Sequence, residues 1–376
     1  MRTISIYNPN WGTFGGGEKY ACSIAECLSR MRDVQVRLLI DRQDISRDRL
    51  SKYFNIDLAK VEHESVRPEE TRHALAAADL SIIVSNFRTH GLPAKRNVYI
   101  MQIPYPKLTG ARFVKRLLSG KLKEALKDRM RRELLIDAKR ADRVIVYSSF
   151  VQDVLKKHHD LSPVVLYPAI DDFQTGGKKE QMVLSVGRFF SGLYNDKRYD
   201  ILIDAFKRLC DRMGGGGWRY HLVGSCGTDS SSQRYLAFLK EKARGYPIHF
   251  FVNAPYEELK DQYNAAMIFW HAAGFGLDEQ KDPERMEHFG MTTVEAMSAR
   301  CIPVVIDKGG QREIVAHRVS GYLWNTLDEL VARTLEIVEG KAAVEHLQRQ
   351  ARIRYQDFSR DTFEKEVTDL FLPLLL

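Results

Sequence analysis

The chain has 376 residues, of which 44% are hydrophobic and 28% are charged. This length predicts two or three domains, with a core large enough to fold without disulfides. Its five cysteines form no C-x-x-C pair, which argues against a disulfide framework or a cysteine zinc site and fits a reducing cytoplasm, and no apolar run approaches the roughly 20 residues that cross a bilayer. The 57 Lys and Arg against 49 Asp and Glu give a net charge of +8, which indicates an anionic partner such as nucleic acid, phosphate or an anionic membrane.

The first part of the chain alternates apolar strands with helical spacing. A strand around Ile4 and Ile6 runs into three consecutive glycines at Gly15–Gly17, and a helix is predicted over Glu18–Arg30. Further strands are predicted at Val34–Ile40, Leu80–Val84, Val98–Met101, Arg143–Tyr147 and Val164–Tyr167. Strand, helix and strand at this spacing are typical of a doubly wound α/β domain.

A polar, glycine-containing segment at Asp171–Gln181 indicates a linker, after which the same pattern restarts. Strands are predicted at Met182–Val186, Trp218–Val223, Ile248–Phe251, Met267–His271 and Ile302–Val305, with helices at Asp200–Cys210, Ser231–Ala243, Tyr256–Ala265 and Thr292–Ala299. A last helix over Phe363–Leu370 is expected to end before Pro373. Its apolar end must be buried, either on the first domain or in a membrane.

The three glycines after the first strand form a candidate phosphate loop. At Gly15–Gly17, backbone amides can approach a phosphate at the positive end of a helix. The spacing is neither G-x-G-x-x-G nor that of a P-loop, since no Lys-Ser or Lys-Thr follows. A tight turn between strand and helix is an equal alternative.

Two loops of the second domain carry charges suited to a ligand. Arg188 and Lys197 follow the first strand of that domain, where α/β ligands bind, and can neutralise a diphosphate. Glu287 precedes a predicted helix start near Met291, and Glu295 lies about one turn inside it, so both can face a ligand whose phosphate rests on the helix N-terminus. The alternatives are solvated surface cations, and a capping acid beside a surface acid.

Together these motifs resemble the retaining, family 4 glycosyltransferases of the GT-B architecture. The resemblance is carried by Gly15–Gly17 with Glu18, S-V-G-R-F-F with Arg188 and Lys197, His271, the E-x7-E element Glu287–Glu295, Cys301–Val305, and G-G-Q-R-E at 309–313. These elements span almost the whole chain. The stretches HLVGSC, APYEELKDQYNAA and HFGMTTVEAM are most similar to mannosyltransferases that use GDP-mannose.

The resemblance implies an α/β fold of the GT-B type. Two Rossmann-like, doubly wound domains would face a central cleft, and the C-terminal helix would cross back to the first domain. The implied acceptor-side domain comprises residues 1–172 with 357–376, and the implied donor-binding domain comprises residues 173–356.

The resemblance also implies roles for individual residues. Arg188 and Lys197 would hold the donor diphosphate, and Glu287 would act with them on the transferred sugar. The implied donor-binding residues are Gly15, Gly16, Gly17, His271, His288, Phe289, Gly290, Met291, Thr292 and Glu295. On the acceptor side, Gln102 stands where many relatives have a histidine; glutamine can hydrogen-bond a sugar but cannot shuttle a proton.

The sequence contains no D-x-D, the short motif that usually holds a divalent ion on a nucleotide-sugar, so we expect neither a metal nor another cofactor. Cations and a helix end would meet the charge of the leaving group, and we favour a same-face substitution with retention. The expected donor is a GDP-sugar in preference to a UDP-sugar, and the expected acceptor is a glycan or lipid-linked molecule of cell-surface polysaccharide or glycolipid assembly. The alternatives are a UDP-sugar-dependent enzyme and a non-catalytic nucleotide-sugar-binding subunit.

The segment Lys107–Arg132 has ten Lys or Arg interleaved with Leu and Phe, against only Glu124 and Asp128. A basic amphipathic stretch of this kind suits an anionic membrane surface, and a solvated helix face is the alternative. No recognised nucleic-acid module accompanies the charge, so we expect no nucleic-acid partner. The expected location is cytoplasmic, on the inner face of a membrane.

Overall fold

The computed structural model describes residues 1–41, 44–87, 89–192, 196–214 and 216–376, with the side chain of Arg112 left out. The chain divides into two compact units. The first comprises Met1–Ala169 with Arg360–Leu376, and the second comprises Ile170–Ser359. Each unit is built on its own parallel sheet, which confirms the predicted α/β class with two Rossmann-like domains.

The first unit contains a seven-stranded parallel sheet in the order β3-β2-β1-β4-β5-β6-β7. Its strands are β1 (Arg2–Tyr7), β2 (Val34–Ile40), β3 (Val61–Ser65), β4 (Leu80–Val84), β5 (Arg96–Met101), β6 (Arg143–Val146) and β7 (Val164–Val165). The central strand β4 is buried along its whole length, as its unbroken apolar run predicts for a sheet covered on both faces.

Six helices of the first unit connect these strands. They are α1 (Gly16–Ser29), α2 (Arg47–Phe54), α3 (Thr71–Ala76), α4 (Gly110–Leu118), α5 (Leu122–Arg140) and α6 (Ser149–His159). Serine side chains begin two of them: Ser46 accepts from the backbone N–H of Arg49, and Ser148 from that of Val151. Each serine satisfies a backbone donor that the first helical turn leaves without a partner.

The basic segment forms the two helices α4 and α5, and one of its cations is not on the surface. Arg131 is buried, so the expectation of a solvent-facing cation is wrong at this position. Its guanidinium carbon lies 5.0 Å from the ring centroids of both Phe87 and Tyr105, and it pairs with Asp128. Stacking and ion pairing thus offset the cost of burying this charge. The side chain of Arg112 lies outside the described residues.

The second unit contains a six-stranded parallel sheet in the order β10-β9-β8-β11-β12-β13. Its strands are β8 (Glu180–Val186), β9 (Arg219–Gly224), β10 (Ile248–Val252), β11 (Ala266–His271), β12 (Ile302–Ile306) and β13 (Tyr322–Trp324). Its helices are α7 (Tyr199–Met213), α8 (Ser230–Lys242), α9 (Tyr256–Ala265), α10 (Met291–Ser298), α11 (Gln311–Ile314), α12 (Leu327–Val338) and α13 (Val344–Tyr355). Aromatic side chains fill its core: the Trp270 ring lies 5.5 Å from that of Tyr220 and 6.2 Å from that of Phe206.

The last helix, α14 (Arg360–Leu375), belongs to the first unit. It buries Phe363, Val367 and Phe371, and the Phe363 ring lies 5.8 Å from that of Tyr20. The expected end before Pro373 is wrong, because the helix continues to Leu375. A proline so close to the end removes only one hydrogen bond of the last turn, which the buried apolar face outweighs.

In both sheets the strand order reverses beside the first strand of the unit. β1 lies between β2 and β4, and β8 lies between β9 and β11. Ligands of open α/β sheets bind outside the carboxyl ends of strands at such a reversal. Gly15–Gly17 follows β1, Lys197 follows β8, and Glu287 follows β11. None of the helices in the described part of the chain is long and apolar enough to cross a membrane.

Candidate active site

Three of the predicted site residues form one hydrogen-bonded cluster in the second unit. The Glu287 carboxylate accepts from the Lys197 ammonium and, at 2.9 Å, from His271 Nε2. The exposed fractions of these side chains are 15% for Lys197, 10% for Glu287 and 2% for His271. The loops after β8 and β11 thus place a cation, a carboxylate and an imidazole together at the strand reversal.

The electrostatics of the cluster fix its protonation. Burial alone raises the pKa of Glu287, but the Lys197 charge and the hydrogen bond from His271 outweigh it and hold the pKa well below its usual range. Burial lowers the pKa of His271, so the imidazole is neutral at pH 7. An ionised Glu287 then requires the proton on Nε2 of His271, which makes Nδ1 an acceptor. Within the described residues, that buried Nδ1 has no hydrogen-bond partner.

A glycine pair supports the loop that carries Glu287. The N–H of Gly310 donates to the backbone oxygen of Glu287 at 2.9 Å, and that of Gly309 donates to the Glu279 carboxylate at 2.8 Å. A Cβ added at Gly310 would lie 2.6 Å from the Cα and the backbone oxygen of Phe289. The two backbones can therefore approach this closely only without a side chain at position 310.

Helix α10 begins directly after this loop. Gly290 has φ +118°, a left-handed conformation that favours glycine, and it is the residue before the first helical turn. Because glycine has no side chain, it cannot cap the N–H groups of Met291 and Thr292. The positive end of α10 is therefore a candidate site for a phosphate close to the Glu287 loop.

Glu295 is held by a different partner. Its carboxylate accepts a 2.7 Å hydrogen bond from the hydroxyl of Tyr263, which is fully buried on α9. The Tyr263 ring is fixed in turn by Phe173, with ring centroids 5.0 Å apart. The structure thus positions Glu295 through Tyr263, whereas Glu287 is positioned through Lys197 and His271.

Three further predicted residues lie outside the hydrogen-bonded cluster. Arg188 is exposed, with its guanidinium carbon 5.0 Å from the ring centroid of Phe190. The buried His288 ring contacts the backbone oxygen of Glu284 at 3.1 Å. Phe289 is buried against Phe358, with ring centroids 5.4 Å apart.

In the first unit, the glycine loop and Gln102 lie side by side. Helix α1 begins at Gly16, and a Cβ added at Gly17 would lie 2.6 Å from Gln102 Nε2. The Gln102 amide accepts from Asn86 Nδ2 at 3.0 Å and donates to the hydroxyl of Tyr147. Asn86 and Tyr147 therefore fix the orientation of this amide at the carboxyl ends of β4 to β6.

The sequence analysis missed the residues that hold the predicted ones in place. They are Asn86 and Tyr147 around Gln102, Tyr263 beside Glu295, and Glu279 at Gly309. Asn86 had a usable signal, because a polar residue directly after a buried strand lies at the binding edge of the sheet. The described residues contain no group of three or more His, Cys, Asp or Glu side chains that could hold a metal ion.

Comparison with known proteins identifies the family. Residues 169–354, almost all of the second unit, match the family described as glycosyl transferases group 1. The second unit is therefore a group 1 glycosyltransferase domain. The strand reversal with Lys197, His271 and Glu287 thus lies in the part of the chain that a family of sugar-transferring enzymes shares.

Two relatives of this chain are named as mannosyltransferases. The chain is 23% identical over 239 residues to the GDP-Man:Man(3)GlcNAc(2)-PP-Dol alpha-1,2-mannosyltransferase of Dictyostelium discoideum, a match that covers 60% of the chain and 45% of the relative. It is 24% identical over 261 residues to the alpha-1,3/1,6-mannosyltransferase ALG2 of Homo sapiens, which covers 63% of the chain and 59% of the relative. The chain thus spans about half the length of these relatives.

A solved structure matches this chain over almost its whole length. Anabaena HepE, crystallised with UDP and glucose, has a TM-score of 0.70 at 18% identity, with 99% of this chain and 100% of that chain covered. At this identity the likeness shows the fold, which confirms the predicted GT-B class.

Proposed function

We propose that the chain is a retaining mannosyltransferase that moves mannose from GDP-mannose to a glycan or lipid-linked acceptor in cell-surface polysaccharide or glycolipid assembly. The observation that carries the proposal is the hydrogen-bonded cluster of Lys197, Glu287 and His271 in the loops before the N-terminus of α10. The mannosyltransferase names of two relatives support the choice of donor.

The diphosphate of the donor binds at the positive end of α10. Lys197 provides a partly buried ammonium, Arg188 an exposed guanidinium, and Met291 and Thr292 backbone N–H groups. Each of these groups becomes more favourable as negative charge builds up on the departing diphosphate, which is how preorganised charges lower a barrier. The same groups supply the charge that a divalent ion provides elsewhere, so the proposed reaction needs no metal or other cofactor.

The transferred sugar is held by the hydroxyl-binding groups of the cluster. Glu287 is ionised and can accept from sugar hydroxyls with the oxygen that does not face Lys197 and His271. His271 Nδ1 can accept a further hydroxyl proton, which would satisfy this buried atom. Glu295, oriented by Tyr263, would bind the ribose hydroxyls.

The first unit carries two further candidate binding groups. The N–H groups at the start of α1, from Gly16 onwards, can bind a phosphate, and Gln102 can hydrogen-bond a sugar hydroxyl. Because glutamine does not titrate, the proton of the attacking hydroxyl would pass to the departing diphosphate oxygen. Attack and departure on one face of the sugar then retain the configuration of the anomeric carbon. We place this reaction on the cytoplasmic side of a membrane.

Nucleotide binding and turnover test the proposal separately. GDP should raise the melting temperature of the purified chain more than UDP or ADP, since a bound nucleotide stabilises the native state. GDP-mannose should then be hydrolysed slowly to α-mannose, as seen by proton NMR. A larger shift with UDP would move the donor to a UDP-sugar, and a GDP shift without hydrolysis or transfer would favour a non-catalytic binding subunit.

A further inference from the structure

We propose that the α4–α5 hairpin of the first unit docks on an anionic lipid bilayer by inserting an apolar ridge among the lipids, with lysines at the level of the phosphates. The apolar ridge consists of Val114, Leu117, Leu118, Leu122 and Leu126. This interaction is separate from the proposed sugar transfer, because it can be measured without any substrate.

The apolar ridge exposes more apolar side chain than is usual for a helix pair that faces only water. Leu118 is 85% exposed, Leu122 68% and Leu126 56%, and Val114 and Leu117 are 51% and 42% exposed. These residues lie close together in the sequence around the turn of the hairpin, from the second half of α4 to the first turns of α5. Contiguous exposed leucines of this kind mark an interaction surface.

Helix α5 packs against the first unit through its opposite face. The apolar ridge is therefore not needed for the core of that unit. Ala125, Leu134, Leu135 and Ala138 are buried. The exposed face repeats every three or four residues at Leu122, Leu126, Arg129, Glu133, Ile136 and Arg140. This stripe runs about 27 Å along the helix at ~1.5 Å per residue, long enough to lie flat on a membrane.

The charges around the ridge are complementary to an anionic surface. Lys115, Lys121 and Lys123 are exposed beside the leucines. Both acids of the segment are already paired: the buried Asp128 with Arg116 and Arg131, and Glu124 with Lys127 at 2.9 Å. The lysines are therefore left to attract lipid phosphates, while the leucines contribute the burial of apolar surface.

At the C-terminal end of α5, the exposed stripe borders a basic groove. Ile136, on the exposed stripe of α5, lines a groove of about 590 Å³ together with Lys107, Lys139, Lys156 and His158. Burial lowers the pKa of His158, and the charges of Lys157 and Lys107 lower it further. The groove thus offers cations to lipid headgroups at the end of the stripe opposite the leucines.

The exposed lysines favour an anionic bilayer over a second copy of the chain as the partner of this face. Two copies that met through this face would bring their lysines together, and the repulsion would oppose the apolar contact. A nucleic acid would satisfy the cations but would leave the leucines in water. An anionic bilayer satisfies both features at once.

Vesicle co-sedimentation of the full-length chain tests the proposal. Vesicles of phosphatidylcholine with about 30% phosphatidylglycerol should bind the chain at low salt, and binding should weaken as salt screens the lysines. The double variant Leu118→Gln/Leu122→Gln should bind about tenfold or more weakly even at low salt. The variant Lys115→Gln/Lys121→Gln/Lys123→Gln should also bind more weakly and lose most of its salt dependence. Arg116 is left unchanged, because it pairs with the buried Asp128.

A matched variant and an optical probe complete the test. Ile353→Gln removes a side chain that is 55% exposed in the second unit, and it should bind like the native chain. The four native tryptophans are buried, so Leu118→Trp reports its own environment and should shift to shorter wavelength with anionic vesicles, whereas Leu372→Trp on α14 should not. Native vesicle binding by the leucine variant, a shift of Leu372→Trp instead, or a ridge-dependent dimer in solution would each overturn the proposal.

Discussion

Lys197 and Glu287 lie 90 residues apart in the chain and form an ion pair inside the second unit. The pair joins the loop after β8 to the loop after β11, and His271 holds the same carboxylate from β11 itself. A buried pair that costs desolvation is a poor way to gain stability. Its placement at the strand reversal indicates that the pair serves ligand binding, because it fixes the Lys197 cation and the Glu287 carboxylate at the candidate site.

Removing either charge of this pair should abolish turnover. We expect Lys197→Met and Glu287→Gln each to lower kcat by about 10²–10³-fold, the usual effect of losing one preorganised charge or donor. Lys197→Met alone leaves a buried carboxylate without its cation, so its melting temperature should fall. Steady-state kinetics with GDP-mannose and thermal unfolding check both expectations.

The double variant separates chemistry from folding. Lys197→Met/Glu287→Gln removes both charges, so it should be more stable than Lys197→Met yet equally inactive. The exposed pair of Lys341 and Glu339 serves as the control, and Lys341→Met/Glu339→Gln should leave stability and turnover unchanged. A double variant with near-native turnover would remove the pair from the mechanism.

Tyr263 should act on donor binding through Glu295. Tyr263→Phe keeps the packing against Phe173 and removes the hydroxyl, which donates to the Glu295 carboxylate at 2.7 Å and lies 3.4 Å from the backbone oxygen of Thr292. We expect KM for the nucleotide-sugar to rise about tenfold, as expected for a hydrogen bond to a charged group, with kcat little changed. Tyr220→Phe removes a buried hydroxyl that contacts Ser185 at 2.9 Å, outside the site, and is the control. An unchanged KM in Tyr263→Phe would show that Glu295 needs no positioning.

Much of the two sheets follows from apolar patterning, and the strands that were missed have a common cause. The apolar strands of both sheets were predicted, because buried parallel strands are continuous apolar runs. β3 was missed, since its sequence V-E-H-E-S has one apolar residue, and β13 was missed because it has only three residues. Both are edge strands, whose short or polar sequences carry little periodicity.

The candidate site shows a different limit. Charge and glycine motifs predicted Lys197, His271 and Glu287 individually, and the structure joins them into one cluster. The residues that orient the site, such as Tyr263 and Glu279, act across distant sequence positions and have no local motif. Likewise, ten cations in one segment look alike in the sequence, although Arg131 is buried and stacked on two aromatic rings.

The proposed reaction should not depend on a divalent metal. Lys197 and Arg188 are proposed to balance the charge of the leaving diphosphate, so turnover should be the same with and without EDTA. The measurement is the rate of GDP-mannose consumption after chelation, with magnesium or manganese added back in parallel. A rate that is lost with EDTA and restored by either ion would contradict the electrostatic role assigned to the two cations.

Stability should fall as the pH drops below about 6.5. Burial lowers the pKa of His159, His221, His271 and His288, so these groups stay neutral in the native state, whereas in the unfolded chain they take up protons near pH 6.5. The unfolded state therefore binds more protons in this range, and each such histidine contributes up to about 1.4 kcal/mol per pH unit. Glu287, with its lowered pKa, adds a loss in the same direction below about pH 4.3.

Urea unfolding at pH 7.5 and 5.5 measures this slope. His221 is a suitable probe, because it lies on β9 outside the candidate site and contacts Gln262 at 2.6 Å. His221→Gln should make the dependence on pH shallower, whereas His346→Gln, at an exposed position, should not change it. Equal slopes in the native chain and His221→Gln would show that this histidine does not contribute.

The last helix should stabilise the first unit through one face. Phe371 is fully buried, whereas its neighbour Leu372 is 44% exposed, so the two positions form a matched pair on α14. We expect Phe371→Ala to lower the free energy of unfolding by about 3–5 kcal/mol, the usual cost of a large cavity in a core, and Leu372→Ala to have a much smaller effect. Denaturant unfolding, followed by a probe in the first unit, distinguishes the two. If Phe371→Ala instead left stability unchanged, the apolar end of the chain would be packed elsewhere in solution, and its burial on the first unit would be wrong.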